Sequence, residues 1–298
     1  MTSQADASDD ASTPEPSSDR VRRAITDDDA FRVMVATTTG LTRQAVARQQ
    51  ATGTTARFFA DLLTGTVLIR ETMSPAHRLQ SLLKGAEDQT SLVADAHPDG
   101  LTRGLLQGPP EARPFDTQQG VMLQVMRSMA TGKVHRSVVR PPAGCDISQA
   151  LMTYLQESEQ ITSVISVGAA WQNDEISHSG GYVVQLLPDA DRGALTVMTE
   201  RLEALPPIDE LLAGLGGSAP KLLDELLFQM PHAQLDDQAI HFGCRCSQEA
   251  VVASLATLGR EDLTELVRDQ EVVELTCDYC GTAWPVQRAQ LLGLLETS

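Results

Sequence analysis

Aromatic residues are scarce in this chain, at 4% of 298 positions, so any buried core must be built from Leu, Val, Ile and Met. Positive charge is short as well: 23 Lys and Arg face 40 Asp and Glu, for a net charge of −17. That balance argues against a phosphate-binding surface, because nucleic-acid affinity rests largely on clustered Lys and Arg. It also repels the anionic face of a membrane. No apolar run approaches the roughly eighteen to twenty residues that a membrane helix needs. The first nineteen residues hold five acids and no Lys or Arg, without the basic start and apolar stretch of a secretory signal. The expectation is a cytoplasmic, reducing compartment, in which five cysteines read as metal ligands or reactive thiols before a disulfide framework.

An apolar fraction of 42% is enough for a globular protein of one large or two smaller domains. Residues 1–19 are Ser, Thr, Pro, Ala and acids without hydrophobic period, and read as a disordered acidic tail. Helical patterns follow at 37–48 and 55–63. Strand-like segments 90–94 and 101–106 flank His97-Pro98-Asp99-Gly100, and 120–129 and 133–139 flank Thr131-Gly132; both read as hairpins. A helix over 148–158 and strands at 161–167 and 182–187 complete what the pattern predicts as an α+β domain over 20–187.

Residues 188–243 differ. They hold ten acids against three bases, with five prolines, and show no core of their own. Short helices are expected at 209–215 and 221–229, in a linker that must pack on something else to stay folded. From 244 the pattern tightens: Ser247 is a candidate N-cap for a helix carrying Val251, Val252, Leu255 and Leu258 on one face. A helix over 261–268, a strand over 272–276 and a closing helix over 289–295 complete a small C-terminal unit, 244–298. There is no internal repeat.

Four of the five cysteines fall in that unit, as Cys244-Arg-Cys246, thirty intervening residues, then Cys277-Asp-Tyr-Cys280-Gly281. Two close pairs meeting across a loop supply the tetrahedron that Zn²⁺ favours, so Cys244, Cys246, Cys277 and Cys280 are the candidate ligands of one structural zinc ion. Four thiolates leave no open position, which argues against a catalytic metal. His241 is a conceivable substitute ligand, but four cysteines suffice. A redox-inert zinc site is the plainer alternative; thiolate chemistry favours a switch. The ligand sulfurs are in the nucleophilic form that peroxide attacks, and oxidised sulfur is a poor ligand. A unit of fifty-five residues buries too little to stand easily alone, so loss of metal should unfold it. If each cysteine pairs with its near neighbour, the resulting bonds close only tiny loops and leave the thirty-residue loop untied. Cys145, alone before a helix, reads as a buried or incidental thiol.

This cysteine pattern closely resembles that of the redox-regulated heat-shock holdase family, the 33-kilodalton chaperonins. Tyr154-Leu155-Gln156-Glu157-Ser158-Glu159-Gln160 is similar to the family's Tyr-Phe-x-x-Ser-Glu-Gln stretch, and Gly180-Gly181-Tyr182-Val183-Val184-Gln185-Leu186-Leu187-Pro188 to its Gly-Gly-x-x-x-Gln-x-x-Pro segment. The acidic segment 1–19 lies outside the family pattern. The resemblance implies an ATP-independent chaperone and no enzyme. Oxidative stress would expel zinc, unfold the switch unit and its linker, and expose surfaces that bind unfolding client proteins; the oxidised form would be a homodimer. Carried over by position, Cys244, Cys246, Cys277 and Cys280 are both the zinc ligands and the redox disulfide positions. A zinc-ribbon module for nucleic acid or a protein partner is the alternative, opposed by nine acids against four bases in 244–298. A thiol–disulfide oxidoreductase using Cys277 and Cys280 is opposed by the strand before the motif and Gly281 after it.

Overall fold

A nineteen-residue helix, α2 (Gly53–Glu71), lies between two β-sheets and is buried nearly all round, fourteen of its residues being shielded from solvent. Such a helix cannot be amphipathic, and its Ala, Leu, Val, Ile and Phe side chains face both sheets at once. The computed structural model describes residues 19–297 apart from 88, 110, 189, 256–258 and 270. The tail expected over 1–19 lies outside the described residues except for Asp19. That residue belongs to the folded body: it is buried, and its carboxylate accepts the amides of Gly40 and Leu41 at 3.1 and 2.6 Å. These are the otherwise unpaired N–H groups at the start of α1 (Thr39–Arg48).

The first sheet takes β1 (Arg20–Thr26), β2 (Phe31–Thr37), β8 (Ser163–Gln172) and β9 (Glu175–Leu186), in the order β1-β2-β9-β8. The second takes β3 (Arg78–Lys84), β4 (Ser91–Ala96), β5 (Leu101–Gln107), β6 (Met122–Ser128) and β7 (Val134–Val139), in the order β5-β4-β3-β6-β7. Both hairpins expected from turn residues are present, as β4–β5 and β6–β7. The strands β1, β2 and β3 have no counterpart in the sequence reading, and α2 runs well past the expected 55–63. β5 lies close against α2: a Cβ added to Gly104 would sit 2.5 Å from the Phe59 ring, so only glycine fits. The helix expected over 148–158 forms as α3 (Ile147–Tyr154) under an Asp146 capping box, then widens into a π turn, Leu155–Glu159.

The segment after β9 forms α4 (Arg192–Ala204), α5 (Ile208–Gly214) and α6 (Ala219–Leu226), then β10 (His232–Gln234), β11 (Gln238–Ala239) and β12 (His241–Phe242). Sequence reading anticipated α5 and α6 but not α4 or the three short strands. The helices bury Met198, Leu211, Leu212, Leu222, Leu223 and Leu226 against Val33, Val35, Tyr182 and Val184, on the face of the first sheet turned away from α2. β10 and β11 pair with β1, and β12 pairs with β5, so the segment is woven into both sheets. The C-terminal part has α7 (Gln248–Leu255), α8 (Arg260–Asp269), the hairpin β13 (Val272–Thr276) and β14 (Ala283–Gln287), and α9 (Arg288–Thr297). Among the described residues, its own cluster buries Leu255, Val273, Val286 and Leu291. Ser247 caps α7 as expected, accepting the Ala250 amide at 3.2 Å; Leu258 lies outside the described residues. The whole is an α+β architecture with a small C-terminal unit. Among the described residues, no helix is long and apolar enough to cross a membrane.

Candidate metal centre

Cys244 owes its position to a short parallel pairing. β12 lies beside β5 with His241 opposite Leu101 and Phe242 opposite Thr102, and the Gly243 amide donates to the Thr102 carbonyl at 3.1 Å. The next residue is thereby delivered to Arg103, whose Nη1 lies 3.2 Å from Cys244 Sγ. Cys246 follows, just before the cap of α7.

Cys277 and Cys280 occupy the turn between β13 and β14. The Cys277 amide donates to the Thr282 carbonyl at 2.9 Å, and the amides of Cys280 and Gly281 fold back on the Cys277 carbonyl at 3.3 and 2.7 Å. Gly281 has φ of +71°, a left-handed conformation in which any side chain is strained. This turn sets both sulfurs on one side.

All four Sγ atoms lie within 4.8 Å of one another. Across the two pairs, Cys244 lies 3.8 Å from Cys277 and Cys246 lies 3.5 Å from Cys280. A tetrahedral zinc with Zn–S bonds near ~2.3 Å has sulfur–sulfur edges of ~3.8 Å, so the donor set fits in both chemistry and spacing. All four cysteines are half-buried and free of disulfides. His241, the conceivable substitute, is exposed and its ring is not among the gathered ligand atoms. Cys145 is buried in the main core, where desolvation raises its thiol above the ordinary value, and it is not part of the cluster.

The four thiols are not equivalent. Burial raises Cys246 to about 12, and hydrogen bonding with Cys280 adds to the rise. Burial also acts upward on Cys280, but the Thr282 hydroxyl and amide, followed by the thiols of Cys246 and Cys277, outweigh it and bring the group to about 7. A filled tetrahedron of sulfur offers no position for a reacting water, so the arrangement is suited to holding a metal and to thiol oxidation.

Sequence reasoning did not find the residues that hold this turn to the body. The Arg103 guanidinium lies 4.0 Å over the Tyr279 ring, and Gln80 reaches the Tyr279 hydroxyl at 3.4 Å. Gln49, at the C-terminal end of α1, donates to the carbonyls of Asp278 and Tyr279 at 2.7 and 3.3 Å while accepting the Leu106 amide at 3.0 Å. Arg245 pairs with Asp99 in the β4–β5 turn. Between 146 and 230 residues of chain separate these body side chains from the C-terminal residues they meet, and no local pattern announces them.

A family model described as Hsp33 protein matches residues 19–287. The 33 kDa chaperonin of Syntrophotalea carbinolica is 29% identical, over 93% of this chain and 99% of its own length. That of Geobacter sulfurreducens is 28% identical, over 96% and 98%. The crystal structure of the 33 kDa chaperonin (heat shock protein 33 homolog) of Thermotoga maritima superposes with a TM-score of 0.80, covering 94% of this chain and 98% of its own. At 20% identity, that likeness bears on the fold alone.

Proposed function

The chain belongs to the Hsp33 protein family, and on that premise we propose that it is a redox-regulated, ATP-independent holdase of the cytoplasm. It binds unfolding proteins and prevents their aggregation under oxidative stress; its partners are unfolded clients and, when oxidised, a second copy of itself, with no role for nucleic acid or membrane. The relatives' shared description as 33 kDa chaperonins supports the chaperone part of this reading. The redox part is carried by one observation: the four sulfurs of Cys244, Cys246, Cys277 and Cys280 are gathered within 4.8 Å at the end of a segment that covers an apolar sheet face.

In the resting state the four side chains would hold one zinc ion, whose contribution is to cross-link two ends of a loop that has little core of its own. For each disulfide, two thiolates, two protons and one hydrogen peroxide give one cystine and two waters. Cystine sulfur ligates metal poorly, so oxidation removes the cross-link. The unit 244–298 then loses its fold, and β10, β11 and β12 lose their downstream anchor. The linker 188–243 lifts from the core 20–187, baring Val33, Val35, Tyr182 and Val184, which its helices now cover. Exposed apolar surface of this kind takes up the apolar segments of unfolding chains without needing a nucleotide.

The deciding experiment follows light scattering of a thermally unfolding client, without ATP. The reduced, zinc-loaded protein should leave aggregation unchanged. Peroxide at raised temperature should release zinc and suppress aggregation. Zinc retained through oxidation, or equal activity in both states, overturns the reading.

A further inference from the structure

We propose that Arg103 is the positioning residue that couples the state of the cysteine cluster to the folded body, through one guanidinium bonded to Cys244, stacked on Tyr279 and anchored on Asp95.

Arg103 projects from the middle of β5, opposite Asp95 of β4, so its backbone is fixed by that strand pairing. Its Nε donates to Asp95 Oδ2 at 3.0 Å, its Nη1 reaches Cys244 Sγ at 3.2 Å, and its carbon centre lies 4.0 Å from the Tyr279 ring centroid. Among the described residues, no other side chain of 19–243 bonds a cluster sulfur. The two ligand pairs, thirty residues apart, therefore meet on one cation: Cys244 by its sulfur, and the 277–280 turn by the ring between its cysteines.

A purely structural role toward Asp95 does not account for this arrangement. Asp95 is fully buried, but Arg78 already grips both carboxylate oxygens at 2.6 Å each, and the His97 ring stands 3.4 Å away. Asp95 is satisfied without Arg103, whereas Arg103 uses Asp95 as the anchor that aims its fork at sulfur. A guanidinium bonds an anionic sulfur far better than a neutral one. Four thiolates around a divalent ion leave net negative charge beside Arg103, and two cystines leave none. Oxidation thus removes the charge-assisted part of the hold at the moment the cross-link fails, leaving the ring contact and the Gln49 bonds to hold a turn that is itself losing structure.

The inference rests on the switch reading above, but its test needs no client. Arg103→Gln, Tyr279→Leu, their double variant and Arg103→Lys are prepared reduced and zinc-loaded. Read out are zinc content, circular dichroism, the rate of zinc release under fixed peroxide with a chromogenic chelator, and deuterium uptake over 277–281. Both single variants should keep their zinc and secondary structure yet release zinc about ten-fold faster, the factor for a shielded cation–π and hydrogen-bond contact. Uptake over 277–281 should rise. Arg103→Lys, which keeps the charge and loses the fork, should fall between. The double variant should release zinc no faster than the quicker single one, because both lesions break one tie. Wild-type rates and uptake in both single variants, or factors that multiply in the double variant, overturn the proposal. If Arg103→Gln does not fold, Tyr279→Leu decides alone, since it leaves Asp95 and the core untouched. Because the test reads metal release and amide exchange, a failure of chaperone activity is scored separately.

Discussion

Met34 and Val35 are neighbours in β2, both fully buried, and they belong to different cores. Met34 faces α2 with Leu63, Val67 and Ile165; Val35 faces the linker helices with Tyr182, Leu222 and Leu226. Successive strand residues point to opposite faces, so the first sheet needs two covers. One is α2, held within the main core. The other is a segment joined downstream to the cysteine cluster.

The two covers should separate under mutation. Leu222 is fully buried in α6, and Leu222→Ala removes apolar contacts worth about 2–5 kcal/mol while leaving a cavity. The expected outcome is faster deuterium uptake across 192–227 and stronger binding of a hydrophobic dye by the reduced protein, with uptake in α2 unchanged. Met34→Ala should instead lower the melting temperature of the whole molecule. If Leu222→Ala speeds uptake uniformly through both covers, the linker is not a separable lid.

Metal removal should act on one part of the chain. Among the described residues the C-terminal cluster holds four buried apolar side chains, a small core for a unit of this length. Structural zinc contributes about 10–16 kcal/mol of apparent folding free energy in peptides of this kind. A strong chelator, or Cys277→Ser, should bring amides of β13 and β14 to near-unprotected exchange while β2, β9 and α2 stay protected. Hydrogen exchange with mass spectrometry resolves these segments directly.

On the proposed function, the pairing of the cysteines on oxidation decides whether the C-terminal unit is released. In the folded state sulfurs of different pairs approach each other, Cys244 to Cys277 at 3.8 Å and Cys246 to Cys280 at 3.5 Å. Bonds formed there would keep the thirty-residue loop closed, retaining about 3–4 kcal/mol of cross-link stabilisation on the chain-entropy account. The proposed release calls for Cys244–Cys246 and Cys277–Cys280 instead. Arg245 makes the two outcomes easy to tell apart, because trypsin cuts between the first pair. Near-neighbour pairing should give a peptide ending at Arg245 linked to one starting at Cys246, with the 269–288 peptide looped on itself. Cross pairing would link both to 269–288.

The cysteine cluster was legible in sequence because its chemistry is local: two short spacings and a glycine after the last ligand. The β4–β5 hairpin was legible for the same reason, through His97-Pro98-Asp99-Gly100. The strands that frame the core were not. β1 carries three arginines among seven residues, and one of them, Arg23, pairs with the buried Glu71 of α2, a partner visible only in three dimensions. β2 is apolar on both faces, so it lacks the alternation that marks a strand. β11 and β12 are two residues each and exist only through their partners. Arg103 and Gln49 escaped notice because a polar side chain on a half-buried element carries no mark of the turn it meets more than 140 residues later.

Asp61 offers a test of the core that does not involve the cysteines. It lies on α2 with Oδ1 shielded from solvent and without a hydrogen-bond partner. Burial, reinforced by the negative charge of Asp146 and opposed by Arg57, pushes its carboxyl up to about 8. The folded protein therefore holds this proton more tightly than the unfolded chain, whose aspartates titrate near ~4. Its contribution to stability is fully present below about pH 4 and is lost progressively as pH rises through about 8, because only the folded state penalises the charged form. Asp61→Asn keeps the shape and removes the titration. It should leave the melting temperature nearly unchanged at pH 4 and raise it at pH 8, the gap widening between. A gap that narrows toward alkaline pH would mean that the carboxylate is stabilised in the fold, by Arg57 or by water, and that α2 tolerates a charge where its packing argues against one.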